Sequence, residues 1–196
     1  MIKRLFDIAC SAGGLILLAP FFAVVALLIK RDSDGPVFFR QVRMGKHFQP
    51  FRIFKFRTMV TDAEQRGAQV STGDDPRITA IGFFLRKYKL DELPQLINVL
   101  IGDMSLVGPR PEVPRYVDVF QKEYEEVLSV RPGITDFASL EYKDENELLR
   151  GVADPEEKYL REILPVKIEY YRRYIREQSF ATDISLIFKT LAGIIR

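Results

Sequence analysis

Residues able to do chemistry are few in kind in this sequence. It holds one histidine, His47, and one cysteine, Cys10, among 196 residues. An internal disulfide and a cysteine-rich zinc site are therefore excluded, and a histidine relay has little to build on. What remains is carboxylates set against arginines and lysines, with room for a hard metal. The stretch "KLDELPQLINVL", Lys89 to Leu100, places Asp91 and Glu92 just before Leu93, Leu96, Ile97 and Leu100, which keep helical spacing. Acids at a helix start cap free amides and complement the dipole, and Pro94 is tolerated in a first turn whose amides lack partners. That structural role alone is enough to account for both acids. The same amides also receive anions, and an acid pair can hold Mg²⁺ bridged to phosphate oxygens. A carboxylate beside such a phosphate can attack it and form an acyl phosphate. The local pattern thus permits phosphoryl transfer without requiring it.

Further along, "VGPRP" holds Arg110 between Pro109 and Pro111, both of which fix φ and narrow the freedom of the turn. A guanidinium presented in that way suits bidentate contact with phosphate, although a solvent-facing turn arginine has the same local sequence. Lys55, Arg57, Arg77 and Arg131 lie beside turns or aromatic segments. They read either as additions to an anion pocket or as surface and lipid-headgroup charges.

The elements that must position these residues begin with an apolar N-terminus. From Leu5 to Ile29 about 25 residues would span roughly 37 Å as straight helix, enough to cross a bilayer. Asp7 is the one ionisable side chain near its start that carries a formal charge. Lys3 and Arg4 precede the segment and Lys30 and Arg31 follow it, so both flanks carry cytoplasm-type positive charge. Pro20 lies past the middle, where it removes a backbone hydrogen bond. These features predict a bent helix that enters the membrane and returns. A kinked single span and a buried core helix are the alternatives.

The remainder has 29% charged and 47% hydrophobic residues over the whole chain and a net charge of +2, an ordinary globular balance that does not call for nucleic acid. It reads as one unit, residues 32–196, behind a membrane segment at 1–31. A strand-like piece is expected at Val37 to Phe39. Phe51, Ile53, Phe54 and Phe56 interleave with Arg52, Lys55 and Arg57 as in a second strand or an interfacial segment. A polar, Gly-containing loop follows up to Pro76. Ile78 to Tyr88 predicts an amphipathic helix, set on the membrane surface or on the core. Helices are also predicted over Tyr116 to Val127, over Glu156 to Arg176 with a break at Pro165, and over the last segment with Asp183 as its N-cap.

Together the motifs "KRLFD", "GPVFFRQVRMG", "PFRIFKFRTM", "DDPRITAIGFFLRKYKLDELPQLINVLIGDMSLVGPRP" and "RPGIT" occur in an order that resembles the bacterial sugar transferases, the small monotopic phosphoglycosyl transferases. The likeness runs from about Lys3 to Thr135 and extends to Ser179, Phe180 and Asp183. It implies an α+β, mainly helical, monotopic protein with a Pro-kinked re-entrant helix, amphipathic surface helices and a small strand-containing catalytic domain. Its place would be the cytoplasmic face of the bacterial inner membrane. The implied reaction moves a sugar 1-phosphate from a UDP-sugar to undecaprenyl phosphate with Mg²⁺. In that likeness Asp91 is the nucleophile, Glu92 the partner in holding metal, and Arg110 a phosphate ligand. Membrane lipids are implied partners, and a homodimer is compatible with the likeness. Three positions depart from the usual pattern. Asp136 to Ser139 replace a common Gly-Trp-containing run, Ala19 precedes Pro20 in place of serine, and an acid often found ahead of the final segment has no clear counterpart near Lys167. The extra transmembrane helices of larger relatives have no counterpart either, so the catalytic unit is expected to stand alone.

Overall fold

A computed structural model describes residues 2–63, 75–143 and 145–195. Helix α1, Ile2–Asp32, runs through Pro20 without interruption. It is long and apolar enough to cross a membrane, and only 11% of its most apolar stretch is buried against the rest of the chain. Ile16 and Leu17 are 77% and 80% exposed, so α1 is not a buried core helix, and its apolar surface is compatible with membrane association.

Both ends of α1 are nevertheless tied to the folded body. At the start, Arg4 donates from Nη1 to Val99 O at 2.6 Å and from Nη2 to Leu100 O at 3.0 Å, covering the last carbonyls of helix α3, Gln95–Ile101. Buried Asp7 accepts from Ser105 Oγ at 2.9 Å and Leu106 N–H at 3.2 Å. Near the other end, Val25 and Ile29 pack with Phe56 and Leu85, and Asp32 accepts from Ile81 N–H at 3.1 Å.

The strands are short and pair in twos. β1, Phe38–Phe39, is antiparallel to β4, Lys55–Phe56, and encloses the antiparallel pair β2, Val42–Met44, and β3, Pro50–Arg52. The alternating run at Phe51 to Arg57 is therefore two strands rather than one. At the break the fully buried Asn98 side chain replaces the ladder, accepting from Phe54 N–H at 2.8 Å and donating to Arg52 O at 3.0 Å. The polar loop expected up to Pro76 lies largely outside the described residues.

Helix α2, Ala80–Lys87, is capped by Thr79, whose hydroxyl accepts from Gly82 N–H at 3.1 Å. Gly82 is required there, because a Cβ would come within 2.1 Å of Thr58 O. Leu85 faces the core, while Phe83, Phe84 and Tyr88 stay exposed, so the helix packs on the core by one face and leaves aromatic side chains exposed on another. After α3, β5, Ser105–Val107, pairs in parallel with β6, Gly133–Thr135.

The expected helix over Tyr116 to Val127 divides at Phe120 into α4, Pro114–Val119, and α5, Gln121–Val127. Short helices α6, Phe137–Glu141, α7, Glu145–Leu148, and α8, Pro155–Lys158, lead into a π-type turn at Tyr159–Ile163. Helix α9, Leu164–Glu177, continues from that turn. Pro165 cannot donate to the carbonyl four residues back, and the ladder widens just before it. Tyr116, Tyr124, Leu149, Leu164, Ile168 and Tyr171 join the largest core cluster. The last helix is α10, Phe180–Ile195. Ser179, not Asp183, caps it, its Oγ accepting from Thr182 N–H at 3.1 Å. Asp183 is buried instead and pairs with Lys3 and with Tyr174 Oη at 2.8 Å.

Candidate active site

A cleft of 690 Å³ opens between the β1–β4 pair, α2, and the elements from Arg110 to α9. Its floor begins where α2 ends. Lys89 adopts φ 53°, which turns the chain sharply into a tight 3₁₀ turn at Leu90–Glu92. Asp91 is therefore not the cap of α3, which starts only after Pro94. The turn instead carries both acids into the cleft, with Asp91 9% exposed.

Their partners differ. Arg110 grips Glu92 with both terminal nitrogens, Nη1 lying 3.0 Å from Oε2 and Nη2 closing on Oε1. Lys55 from β4 adds a third contact to Oε1 at 2.9 Å. The backbone of the Arg110 turn is itself held, since Arg110 N–H donates to Asp136 Oδ2 at 3.1 Å. Buried Asp136 also caps α6 through Ser139 N–H at 2.6 Å, so the segment from Asp136 to Ser139 braces the arginine turn. Close approach of the two parallel strands makes this packing, and a Cβ on Gly133 would lie 2.0 Å from Gly108 N. No hydrogen bond or ion pair falls on the Asp91 carboxylate among the described residues.

Burial pushes the Asp91 carboxyl up to about 6, against the pull of Lys55 and with the push of the Glu92 charge. Burial would raise Glu92 as well, but Arg110 and Lys55 hold it well below the carboxylate range. Burial lowers Lys55, and Glu92 opposes that. Two adjacent acids thus take different states: Glu92 is a fixed, neutralised anion, and Asp91 an ionisable group that accepts no hydrogen bond among the described residues. Asp91 is suited to attack phosphorus, to accept a proton or to bind a cation.

Mg²⁺ takes one or two carboxylates with phosphate oxygens and waters, and needs no all-protein cage. Among the described residues no group of three or more metal-ligating side chains is present. Asp91 offers unengaged oxygens, whereas both Glu92 oxygens are engaged by Arg110 and Lys55. The dyad fits Mg²⁺ as one open carboxylate and one that opens only if phosphate takes over its cations.

Of the arginines and lysines singled out in the sequence, Lys55, Arg57, Arg77 and Arg110 line this one cleft with Asp91 and Glu92. Arg57 is spent largely on the fold, donating to the carbonyls of Ser33 and Asp34 in the turn after α1. Arg77 is held by Asp75, with Nη2 at 2.6 Å, and by Ala63 O at 2.9 Å. Arg131 is not brought to the cleft; its Nε donates to Gly102 O at 2.8 Å, satisfying the end of α3. Sequence reasoning missed Arg43, Arg86, Glu112, Glu145, Tyr159 and Lys167, all cleft-lining. One signal was available: Lys167 interrupts the buried stripe Leu164, Ile168, Tyr171, Tyr174, where a lone charge needs partners.

A profile of the family described as bacterial sugar transferase matches residues 1–196. The chain belongs to the bacterial sugar transferase family. It is 41% identical to the UDP-N-acetylgalactosamine-undecaprenyl-phosphate N-acetylgalactosaminephosphotransferase of Aeromonas hydrophila, over 99% of this chain and 44% of the relative. It is 38% identical to the exopolysaccharide production protein PSS of Rhizobium leguminosarum bv. phaseoli, over 98% of this chain and 94% of the relative. It is also 38% identical to the UDP-glucose:undecaprenyl-phosphate glucose-1-phosphate transferase of Escherichia coli K12, over 97% of this chain and 39% of the relative. The chain therefore spans less than half the length of the Aeromonas and Escherichia relatives and nearly all of the Rhizobium one.

Proposed function

We propose that this sugar transferase moves a sugar 1-phosphate from a UDP-sugar to undecaprenyl phosphate through a covalent intermediate on Asp91. The observation that carries this reading is the division of labour in the dyad: Glu92 is clamped by Arg110 and Lys55, and Asp91 beside it accepts no hydrogen bond among the described residues. An Asp91 oxygen attacks the sugar-bearing phosphorus, the P–O bond to UMP breaks, and UMP leaves with the electron pair. A phosphate oxygen of undecaprenyl phosphate then attacks the same phosphorus and displaces the Asp91 carboxylate, which regains its charge. Arg110 and Lys55 orient the phosphate, and their grip on Glu92 keeps them in place before it arrives. Mg²⁺ would be held by Asp91 and Glu92, and when bound it offsets the charge of the diphosphate.

The reading extends to topology. Residues at both ends of α1 contact the same folded body while its middle is exposed, which supports re-entry, with the cleft at the cytoplasmic face of the bacterial inner membrane. A straight 31-residue helix would carry its ends about 46 Å apart. In a Cys10-free background, cysteines placed at residues 2 and 33 are expected to label from the same side, and labelling from opposite sides would mean a full span.

The reaction is tested by UMP release from a panel of UDP-sugars with Mg²⁺ and undecaprenyl phosphate. Without the acceptor, mass spectrometry should find the phosphosugar on the peptide carrying Asp91. Turnover with no trapped adduct would favour direct attack by the lipid phosphate, with Asp91 as metal ligand.

A further inference from the structure

The cleft has a second polar wall that the steps above leave idle. Glu112 and Lys167, each 4% exposed, lie on it with Tyr159 and Glu145. The Tyr159 hydroxyl donates to Glu112 Oε1 at 2.6 Å, and Lys167 Nζ donates to Tyr159 Oη at 3.1 Å and Glu145 Oε2 at 2.8 Å. Arg43 Nη1 stands 3.6 Å from Glu112 Oε2. Packing alone does not ask for this, because an apolar wall of the same shape avoids the desolvation of four charges. The wall also carries an unmet hydrogen-bonding group. Arg43 Nε is buried with no hydrogen bond among the described residues, Ser139 Oγ lies buried beside the Asp136 carboxylate, and both residues line the cleft.

We propose that this wall reads the hydroxyl pattern of the sugar, an inference that rests on the UDP-sugar transferase reading above. A sugar hydroxyl both donates and accepts, so it needs a surface holding both functions in fixed places. Glu112 and Glu145 accept, Lys167 donates, and Ser139 does either. The two carboxylates balance Lys167 and Arg43, so the wall has no net pull on phosphate, in contrast to the Lys55 and Arg110 end. Position favours the sugar over the nucleoside. Glu112 follows Arg110 by two residues in the proline-fixed turn, and Arg110 senses both Glu112 and Glu145. The wall thus begins where the grip on the attacked phosphate ends. The sugar is bonded directly to that phosphorus, whereas the ribose stands one phosphate further away.

The test uses the full chain and compares UDP-sugars that differ at one hydroxyl or its configuration, with UDP as a competitive inhibitor. Glu145→Gln and Lys167→Met should each change the ratio of kcat/KM between such sugars by about 10-fold or more, because a site built around a hydroxyl discriminates through it. Inhibition by UDP, which lacks the sugar, should stay within about threefold. Ser139→Ala removes one hydroxyl but keeps the backbone N–H that Asp136 accepts, and should shift the same ratio by about threefold or more, so the question stays answerable if Lys167→Met does not fold. An equal fall for every sugar would overturn the proposal, and so would a parallel loss of UDP affinity, which assigns the wall to the nucleoside. If the unaltered protein releases no UMP from any sugar, the transferase reading fails separately. Melting temperatures then decide the wall: UDP-sugars stabilising more than UDP, an excess lost in Lys167→Met, supports it, and equal stabilisation overturns it.

Discussion

The mooring of α1 and the floor of the cleft are built from the same residue types, and both bury charge. At the mooring every acid is answered: Asp183 by Lys3 and Tyr174, Asp7 by Ser105 and the Leu106 amide, while Arg4 covers two helix-end carbonyls. At the cleft Glu92 is answered three times over, while Asp91, its neighbour in the chain, accepts no hydrogen bond among the described residues. Complete pairing fixes an element in place. The unpaired acid costs stability and leaves a group free to react, so the contrast separates holding from chemistry within one protein.

The largest expected effect lies at the unpaired acid. Asp91→Asn should reduce UMP release to background and, in EDTA, raise the melting temperature. The stability gain is up to about 3 kcal/mol, since burial moves the carboxyl from 3.8 to about 6. The sign follows from the raised value: the folded state holds the proton more tightly, so ionisation penalises it. The variant's advantage should vanish below pH 3.8, grow between there and about 6, and be complete above. A melting temperature unchanged at pH 7.5 would mean that Asp91 is not under strain.

Next comes the clamp. Arg110→Lys keeps the charge but loses the fork on Glu92, and kcat/KM should fall by about 10- to 100-fold. Asp7→Ala tests the mooring from the other side. It leaves the Ser105 hydroxyl and the Leu106 amide without their acceptor, so unfolding should be easier by about 1–3 kcal/mol, with kcat of the folded protein unchanged. A lost kcat at full stability would erase the distinction between the two networks. Arg131→Ala should do least, costing under about 1 kcal/mol from the Gly102 carbonyl contact and leaving kcat/KM within about twofold. A tenfold loss would place Arg131 at the substrate after all.

Much of this was legible in the sequence where the signal is local. The acid pair, the proline-fixed arginine, the apolar N-terminus and the α2 and α9 periodicities each lie within a few turns of chain. Contacts over long separations were not. Asn98 completing the broken strand at Phe54 spans 44 positions, and Lys3 reaching Asp183 spans 180. Asp183 was expected to cap, since an acid before an apolar run usually does, but Lys3 and Tyr174 claim it and Ser179 takes the role. Arg131 sits in a Pro-Gly turn much as Arg110 sits in its own, and only the packing of β5 on β6 sends one into the cleft and the other to the end of α3.

The wide turn ahead of Pro165 bears on how this chain can change. Tyr159 and Lys167 are eight positions apart. On a regular α-helix that separation leaves them about 80° out of phase. A π-type turn takes up one extra residue, so eight residues come close to two full revolutions and the Tyr159 hydroxyl meets the Lys167 ammonium. Straightening that turn into regular helix at the same length would swing the tyrosine about 80° off the cleft, whereas removing one residue along with it would leave the pair seven apart and within about 20° of the same face. With the two residues eight positions apart, it is the π-type pitch of that turn that aims Tyr159 at Lys167.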